Sequence, residues 1–521
     1  MQESVRYPRA GAALRRVAIG MGIGGGALLA ARLAFPPPTS RGPVQHALPP
    51  ARHGPLADGI QERSVRHEGL TGVASLRDGV PAFAARALLA DVAVRSIDAQ
   101  YYIWKPDLTG LLLLDALWRA AERGVRVRLL LDDNGTDGLD PYLAWVGRHP
   151  RIEVRLYNPF NLRRGKRLAY AFDFPRLNRR MHNKSFTVDG RATIVGGRNI
   201  GDEYFDTGAQ AIYLDRDVLA VGPVVEKVSA DFDRYWNCPS VHPAAPILGP
   251  PPARDPLAPA LREHLAERQW ATYREELQDS RFVERIRSGE MDLEWTRASL
   301  LSDDPAKGEG RARPDQLLAE RLARAVGGVA EGLDGVSPYF VPGCRGTELF
   351  ALMARRGVQV RLLTNALEAT DVLPVHAGYV CWRRALLTGG VRLFELKREA
   401  APPRRTKGLG PFGSAGSSLH AKTFAVDGER VYVGSFNFDP RSTSLNTEMG
   451  LLIESPRMAA EMRAAFDEDL HGLAWEVLLR GGHLLWRDTA TGAIRPDEPG
   501  GTPSRALAIA AMKHLPIEWL L

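Results

Sequence analysis

The sequence predicts an α/β protein made of two copies of one half, each a mixed, mostly parallel sheet flanked by helices, related by a pseudo-twofold with a site between them. Three observations predict it. A strand, a helix and a second strand follow in the same order twice. The junction Gly-Val-x-Val after the helix recurs at Gly124 and Gly357, 233 positions apart. One His-x-Lys-x4-Asp pattern occurs in each copy, its histidines, His182 and His420, 238 positions apart. A near-constant offset of this kind is the mark of duplication.

Residues 1–36 read as a signal or anchor segment. Arg6, Arg9, Arg15 and Arg16 precede an apolar, Gly- and Ala-rich run over residues 17–31, which Arg32 interrupts. Charge followed by an apolar run is the layout of a membrane-directed segment, and the absence of a small-x-small cleavage pattern favours a retained anchor with its Arg-rich end in the cytoplasm. Residues 37–67, opening on a proline-rich stretch, read as a spacer.

The first half is placed at residues 68–290. Residues 94–104 alternate like a strand, 111–123 repeat like a helix, and 124–133 and 152–158 are further strands. The second half, residues 291–500, repeats the plan with a strand in 335–343, a helix over 346–356 and strands over 357–365 and 390–397. Alternation of strands and helices places functional groups at strand ends and in the loops beyond them. The boundary falls between Trp270 and Trp295, in a charged helical stretch. Glycines from Gly408 to Gly416 read as a mobile insert, and residues 501–521 as a C-terminal tail.

A net charge of +7 favours anionic partners such as phospholipid headgroups or nucleic acid. The three cysteines, Cys238, Cys344 and Cys381, are too few and too scattered for a disulfide framework or a zinc site and read as buried thiols.

The chemistry is carried by "HNKSFTVDGRATIVGGRN" from His182 and "HAKTFAVDGERVYVGSFN" from His420. Alternation sets His182 with Lys184, and His420 with Lys422, on one face of a strand, so that each pair can meet one phosphate. Asp189-Gly190 and Asp427-Gly428 turn the chain into an antiparallel return strand. That strand ends in small residues, Gly197 or Ser435, followed by Asn199 or Asn437, where backbone N–H groups and amides can approach an anion. Asp189 and Asp427 serve either chemistry or structure. The basic cluster Arg163, Arg164, Lys166, Arg167, Arg176, Arg179 and Arg180, with Tyr170, Phe172 and Phe174 interleaved, reads either as a solvated loop or as a collar for anionic lipid.

These motifs resemble the phospholipase D superfamily. Further blocks ("GGRNIGDEYF", "DFDRYW", "SDDPAKG", "YFVPG", "ATDVLPVHAGY", "GSFNFDPRSTSLNTEMG") narrow the likeness to its bacterial cardiolipin synthase C-like branch across most of residues 70–480. The resemblance implies two phospholipase D-like domains and a two-step transfer through a covalent phosphohistidine. His182 would be the nucleophile and His420 the acid and base, with Lys184 and Lys422 on the nonbridging oxygens and no metal or other cofactor. Each imidazole needs an orienting carboxylate. By family analogy Glu448 would serve His182 and Asp217 would serve His420. His376, in "PVHAGY", is either structural or a headgroup contact.

The implied activity is phosphatidyl transfer onto phosphatidylglycerol to form cardiolipin. Its partners would be phospholipid substrates and an anionic membrane, with no nucleic acid, and its place the bacterial inner membrane with the catalytic domains on the periplasmic face. Hydrolysis to phosphatidic acid, cleavage of nucleic acid and a lipid-binding scaffold are the alternatives.

Overall fold

The computed structural model describes residues 24–205, 213–266, 292–398 and 418–513. The first half contains β1 (Thr71–Leu76), β2 (Ser96–Ile103), β3 (Arg126–Gly135), β4 (Ile152–Tyr157), β5 (Ser185–Val188), β6 (Ala192–Gly196), β7 (Tyr213–Leu214), β8 (Asp217–Val221) and β9 (Val241–Pro243). After β10 (Glu294–Thr296) and β11 (Ala298–Ser302) come β12 (Gly332–Val336), β13 (Gln359–Asn365), β14 (Arg392–Leu396), β15 (Ser418–Leu419), β16 (Lys422–Val426), β17 (Arg430–Gly434), β18 (Met449–Glu454), β19 (Ala474–Arg480), β20 (His483–Asp488) and β21 (Ile494–Arg495).

The halves share one topology. The first sheet runs β10-β1-β8-β6-β5-β2-β3-β4-β9 and the second β11-β18-β17-β16-β12-β13-β14-β19-β20-β21. Within these two sheets, among the described residues, only the strands joined through helices, β2-β3-β4 and β12-β13-β14, pair in parallel. Hairpins and returning strands add antiparallel pairs on both sides, so the sheets are mixed and less parallel than strand-helix alternation alone predicts.

The crossover helix Leu108–Glu122 starts at Asp107, whose side chain accepts from Gly110 N, and buries Leu111, Leu114 and Leu117. Gly124 (φ +95) then turns the chain into β3, and Gly357 (φ +92) does the same after the Gly343–Arg355 helix. Helices cover both faces of the first sheet. Leu129 and Leu131 join the core with Leu111 and Leu114, whereas Leu130 packs with Phe232 and Trp236 of the Pro223–Trp236 helix. A further buried cluster holds Val195 and Val218 of the first sheet with Val433 and Leu451 of the second. Burying each such side chain is worth about 1.5–3 kcal/mol, so the halves form one body around a shared core.

Several boundaries shift. β10 closes the first sheet beside β1 while β11 opens the second beside β18, so the crossover falls at Arg297, beyond the predicted 290/291 boundary. The predicted spacer is no free linker. Residues 36–50 lack helix and strand but dock on the first half, and residues Pro55–Arg66 form a helix. Proline removes donors and blocks regular structure, yet leaves carbonyls and the remaining N–H groups available to side chains. The predicted tail forms the Pro503–Lys513 helix, whose Ile509 packs on Leu367 and Ala377. Cys238 is buried as expected, but Cys344 and Cys381 are exposed.

Residues 24–34 are helical. Among the described residues no helix is long and apolar enough to cross a membrane. Part of the predicted anchor, most of the charged stretch before Trp295 and the glycine-rich insert lie outside the described residues.

Candidate active site

His182 and His420 lie just before β5 and β16, in extended segments that cross from one half to the other. His182 N donates to Thr447 O at 2.8 Å, Thr447 N donates to Arg180 O at 2.9 Å, and Met181 bridges Thr447 in parallel. In the matching place Leu419 of β15 pairs in parallel with Leu214 of β7. Each half thus lays the residue before its histidine against the residue before the other half's carboxylate.

The chain just ahead of each histidine is held at a strand end. Met181 N donates to Asp132 at 2.8 Å, and Asn365 brackets Leu419 by accepting from its N–H at 2.9 Å and donating to its carbonyl at 3.2 Å. Both holders sit at the C-terminal ends of parallel strands, where the alternation predicts functional groups.

Those carboxylates are Glu448 and Asp215. His182 Nδ1 lies 2.8 Å from Glu448, and His420 Nδ1 lies 2.5 Å from Asp215. Glu448 is the residue expected by analogy. Asp217 is not: its carboxylate accepts from the buried Arg86 at 2.8 Å and from Arg198 N at 3.2 Å. The register explains the difference. Asp217 sits opposite Gly196 on β8, where the second half has Gly450 opposite Gly434. The 233-residue offset already visible in Gly124 and Gly357 carries Asp215, not Asp217, onto Glu448.

Gly197 and Ser435 complete this pair in different ways. Ser435 Oγ donates to Glu448 at 2.5 Å, and Ser442 Oγ donates to its other oxygen at 2.8 Å. A Cβ on Gly197 would stand 2.2 Å from Asp215 Oδ1, so glycine makes room for the shorter acid. Gly197→Ala is therefore expected to push Asp215 off His420 and cut turnover by about a hundredfold, measured as kcat at saturating substrate. The matching Ser435→Ala removes the hydroxyl that donates to Glu448 and accepts from Met449 N, but leaves Ser442 on the other Glu448 oxygen, and should cost about tenfold or less in turnover.

Lys184 and Lys422 are buried beside their histidines, donating to the His182 and His420 carbonyls. Burial pushes the Lys184 ammonium down to about 7 and Lys422 down to about 8. Burial also lowers both imidazoles, His182 well below its ordinary value and His420 to about 4. The lysine charges of both halves add to that shift, which places the four side chains within one electrostatic neighbourhood. Burial lifts Glu448 to about 7, whereas at Asp215 burial is outweighed by His420 and Lys422, which hold the acid below the usual carboxylate range.

Lysines with lowered pKa values are ammonium below those values and neutral above them. The affinity of the free enzyme for a phosphonate analogue of a phosphodiester should accordingly fall as pH rises through about 7 to 8, read as the pH dependence of its Ki.

Asp189 and Asp427 lie at the far ends of β5 and β16 from the histidines. With φ of 55° and 54°, each turns the chain and accepts backbone N–H bonds, Asp189 from residues 94–96 and Asp427 from residues 330–332. Both close the hairpin onto the neighbouring strand, and neither meets the imidazoles, which corrects their inclusion among the catalytic residues. Asp189→Ala should lower stability by about 2–4 kcal/mol in chemical denaturation while leaving kcat of the folded protein near wild type.

Asn199 is committed elsewhere too, accepting from Ile103 N at 3.1 Å and donating to Tyr204 Oη at 3.0 Å. Asn437 keeps its buried amide oxygen without a hydrogen-bond partner. Tyr102 and Tyr204, which sequence reasoning missed, present ring edges to His182 and His420 at 5.0 and 5.1 Å. Strand periodicity gives no signal that singles out either tyrosine.

Most of the basic cluster is paired: Arg163 and Lys166 with Asp133, Arg176 with Asp173 and Arg180 with Asp132. Arg164 and Arg167 are exposed. His376 is buried against Glu498 at 2.9 Å and so is structural. Among the described residues no group of His, Cys, Asp and Glu side chains is arranged to hold a metal ion.

A family model described as cardiolipin synthase, PLD-like domain, matches the chain twice, over residues 90–236 and 323–470, one match in each half. The chain belongs to this phospholipase D-like family. It is 46% identical to cardiolipin synthase C of Escherichia coli, over 89% of this chain and 99% of the relative. It is 26% identical to a cardiolipin synthase of Staphylococcus aureus, over 74% of this chain and 64% of that one. A crystal structure of phosphatidylserine synthase from Haemophilus influenzae shares the fold, with a TM-score of 0.55 and 14% identity over 89% of this chain and all of that one. Within this family fold the two motif copies supply one histidine-lysine pair from each half, and each half lends the other its carboxylate.

Proposed function

We propose that the chain is a phosphatidyltransferase that forms cardiolipin from phosphatidylglycerol and a second phospholipid. The observation that carries the chemistry is the pair of buried histidines, each hydrogen-bonded at Nδ1 to a carboxylate of the other half. A carboxylate at Nδ1 fixes the tautomer and leaves Nε2 for the phosphorus or for a proton.

His182 attacks, its imidazole kept neutral by burial. His420 gives its proton to the leaving alcohol and takes one from the incoming hydroxyl. The ionised Asp215 suits this role, because it stabilises the imidazolium that the first step consumes and the second step restores, whereas the raised Glu448 favours a neutral nucleophile. Lys184 and Lys422 take the nonbridging oxygens, where charge grows in the five-coordinate transition state.

A membrane-anchored placement, with the catalytic halves on the periplasmic face of the inner membrane, completes this reading. The helix over residues 24–34 leads to Phe35, whose carbonyl accepts from Asn161 and whose ring lies 6.3 Å from Phe172. Leu28, Leu29 and Leu33 are exposed there, and Leu168, next to Arg167 in the chain, is exposed as well. From this collar Tyr170 donates to Asn134, and Asn134 donates to Tyr102 beside His182. Reversing both exposed charges, Arg164→Glu with Arg167→Glu, should weaken binding to phosphatidylglycerol vesicles by about tenfold or more in a sedimentation assay.

The deciding experiment incubates the purified chain with labelled phosphatidylglycerol, with and without phosphatidylethanolamine. Cardiolipin among the products is the expected result. Phosphatidic acid alone would instead make the enzyme a hydrolase, and neither product would overturn phosphatidyl chemistry altogether.

A further inference from the structure

The duplication lets one half be compared with the other away from the site. In the first half Arg128 of β3 forms a two-pronged ion pair with Asp98, stacks on Phe232 at 4.8 Å and meets Asp233 at 2.8 Å. In the second, Arg361 of β13 does the same with Asp334, with Phe466 at 5.0 Å and with Asp467. Strand register extends the match. Glu153 lies opposite Arg128 as Arg392 lies opposite Arg361, so Arg155 corresponds to Phe394, and Asn237 corresponds to His471, four residues beyond the matched acids.

In the first half these positions hold an extended peptide, the chain's own residues 43–47. Arg155 donates to Pro43 O at 2.7 Å, and Asn237 brackets Gln45, accepting from its N–H at 3.1 Å and donating to its carbonyl at 2.8 Å. Ala47 N donates to Asp233 at 2.8 Å, and Gln45 Nε2 donates to Glu153 at 2.5 Å. Four of these five bonds satisfy main-chain carbonyls or N–H groups, two of them through the charged side chains of Arg155 and Asp233, and the Asn237 bracket imitates a strand neighbour.

In the second half the corresponding residues Arg392, Phe394, Asp467 and His471 line a cavity of about 360 Å³, walled on its further side by Arg487 and Asp488 of β20. We propose that this cavity is a docking groove for an extended segment of a partner polypeptide, held through its main chain as residues 43–47 are held in the first half. The chemistry suits that occupant. Asp467 and Glu476 accept main-chain N–H groups, Arg392, Arg487 and His471 donate to carbonyls, and Phe394 gives an apolar floor where the first half has an arginine. A groove that reads the main chain takes proline-containing, extended sequences readily, because its contacts go to carbonyls and to every other N–H.

The full chain, purified in detergent, is panned against a display library of random linear peptides, and the selected peptides are synthesised. The groove predicts saturable binders that slow amide hydrogen exchange in residues 465–476 and 484–489. It also predicts a loss of about tenfold or more in affinity on either Arg487→Glu or His471→Ala. His471 is exposed, whereas Arg487 is half-exposed and ion-paired with Glu476, so each variant is shown to be folded by circular dichroism and melting before binding is read. A library that enriches no binder overturns the proposal. So do binders that protect other regions or that ignore both substitutions. Cardiolipin formation does not enter the readout, so the groove and the catalytic reading stand or fall separately.

Discussion

Alanine at either His182 or His420 is expected to abolish phosphatidyl transfer, a loss on the order of ten-thousand-fold or more, with circular dichroism and melting close to wild type. Both rings sit in extended segments before a strand, so removing one leaves the sheet pairing of β5 or β16 intact. Their contacts are directional. Each ring spends Nδ1 on a carboxylate from the other half, which leaves Nε2 as its working atom. Because the two act in one cycle on one phosphate, the double variant should be no slower than the slower single variant. Half of wild-type activity in each single variant would mean two independent sites, which the crossed carboxylates argue against.

Asp215→Asn is expected to lower kcat by about a thousandfold or more, through loss of the charge that stabilises the His420 imidazolium. Asp217→Asn, two residues away, should behave in the opposite sense. Its carboxylate is the counter-charge of the fully buried Arg86, and leaving that guanidinium unpaired should cost about 3–5 kcal/mol of stability, with kcat of the folded fraction largely retained. Denaturant titration and turnover on both variants separate the two residues cleanly. Glu448→Gln should resemble Asp215→Asn, since Glu448 meets His182 as Asp215 meets His420. A destabilised but fully active Asp215→Asn protein would return the orienting role to Asp217.

The duplicated plan was legible because its signals are local. Gly124 and Gly357 end matching helices through the left-handed region, and the His-x-Lys strands alternate. What crosses between halves was harder to read. Asp215 and Asp217 both stand before an apolar strand, and only β8–β6 pairing, or strict use of the 233-residue offset, tells which one matches Glu448. Asp189 and Asp427 belong to the motif that carries the chemistry, yet they close hairpins, because a sequence pattern records a shared fold as readily as shared chemistry. The proline-rich segment misled in another way. Composition excludes helix and strand there, but it says nothing of the side chains on β4 and the Pro223–Trp236 helix that hold the chain down. The two tyrosines at the imidazoles reach the site through tertiary packing alone.

The most direct test of one site shared by two halves is the position of the covalent intermediate. Enzyme mixed with phosphatidylglycerol carrying radioactive phosphorus is quenched within the first turnover, digested and mapped by mass spectrometry. The account predicts an acid-labile, alkali-stable phosphatidyl adduct on His182, absent from the His182→Ala protein and slow to turn over in Asp215→Asn. An adduct on His420, on both histidines equally, or one that survives acid and is lost in alkali, would contradict it.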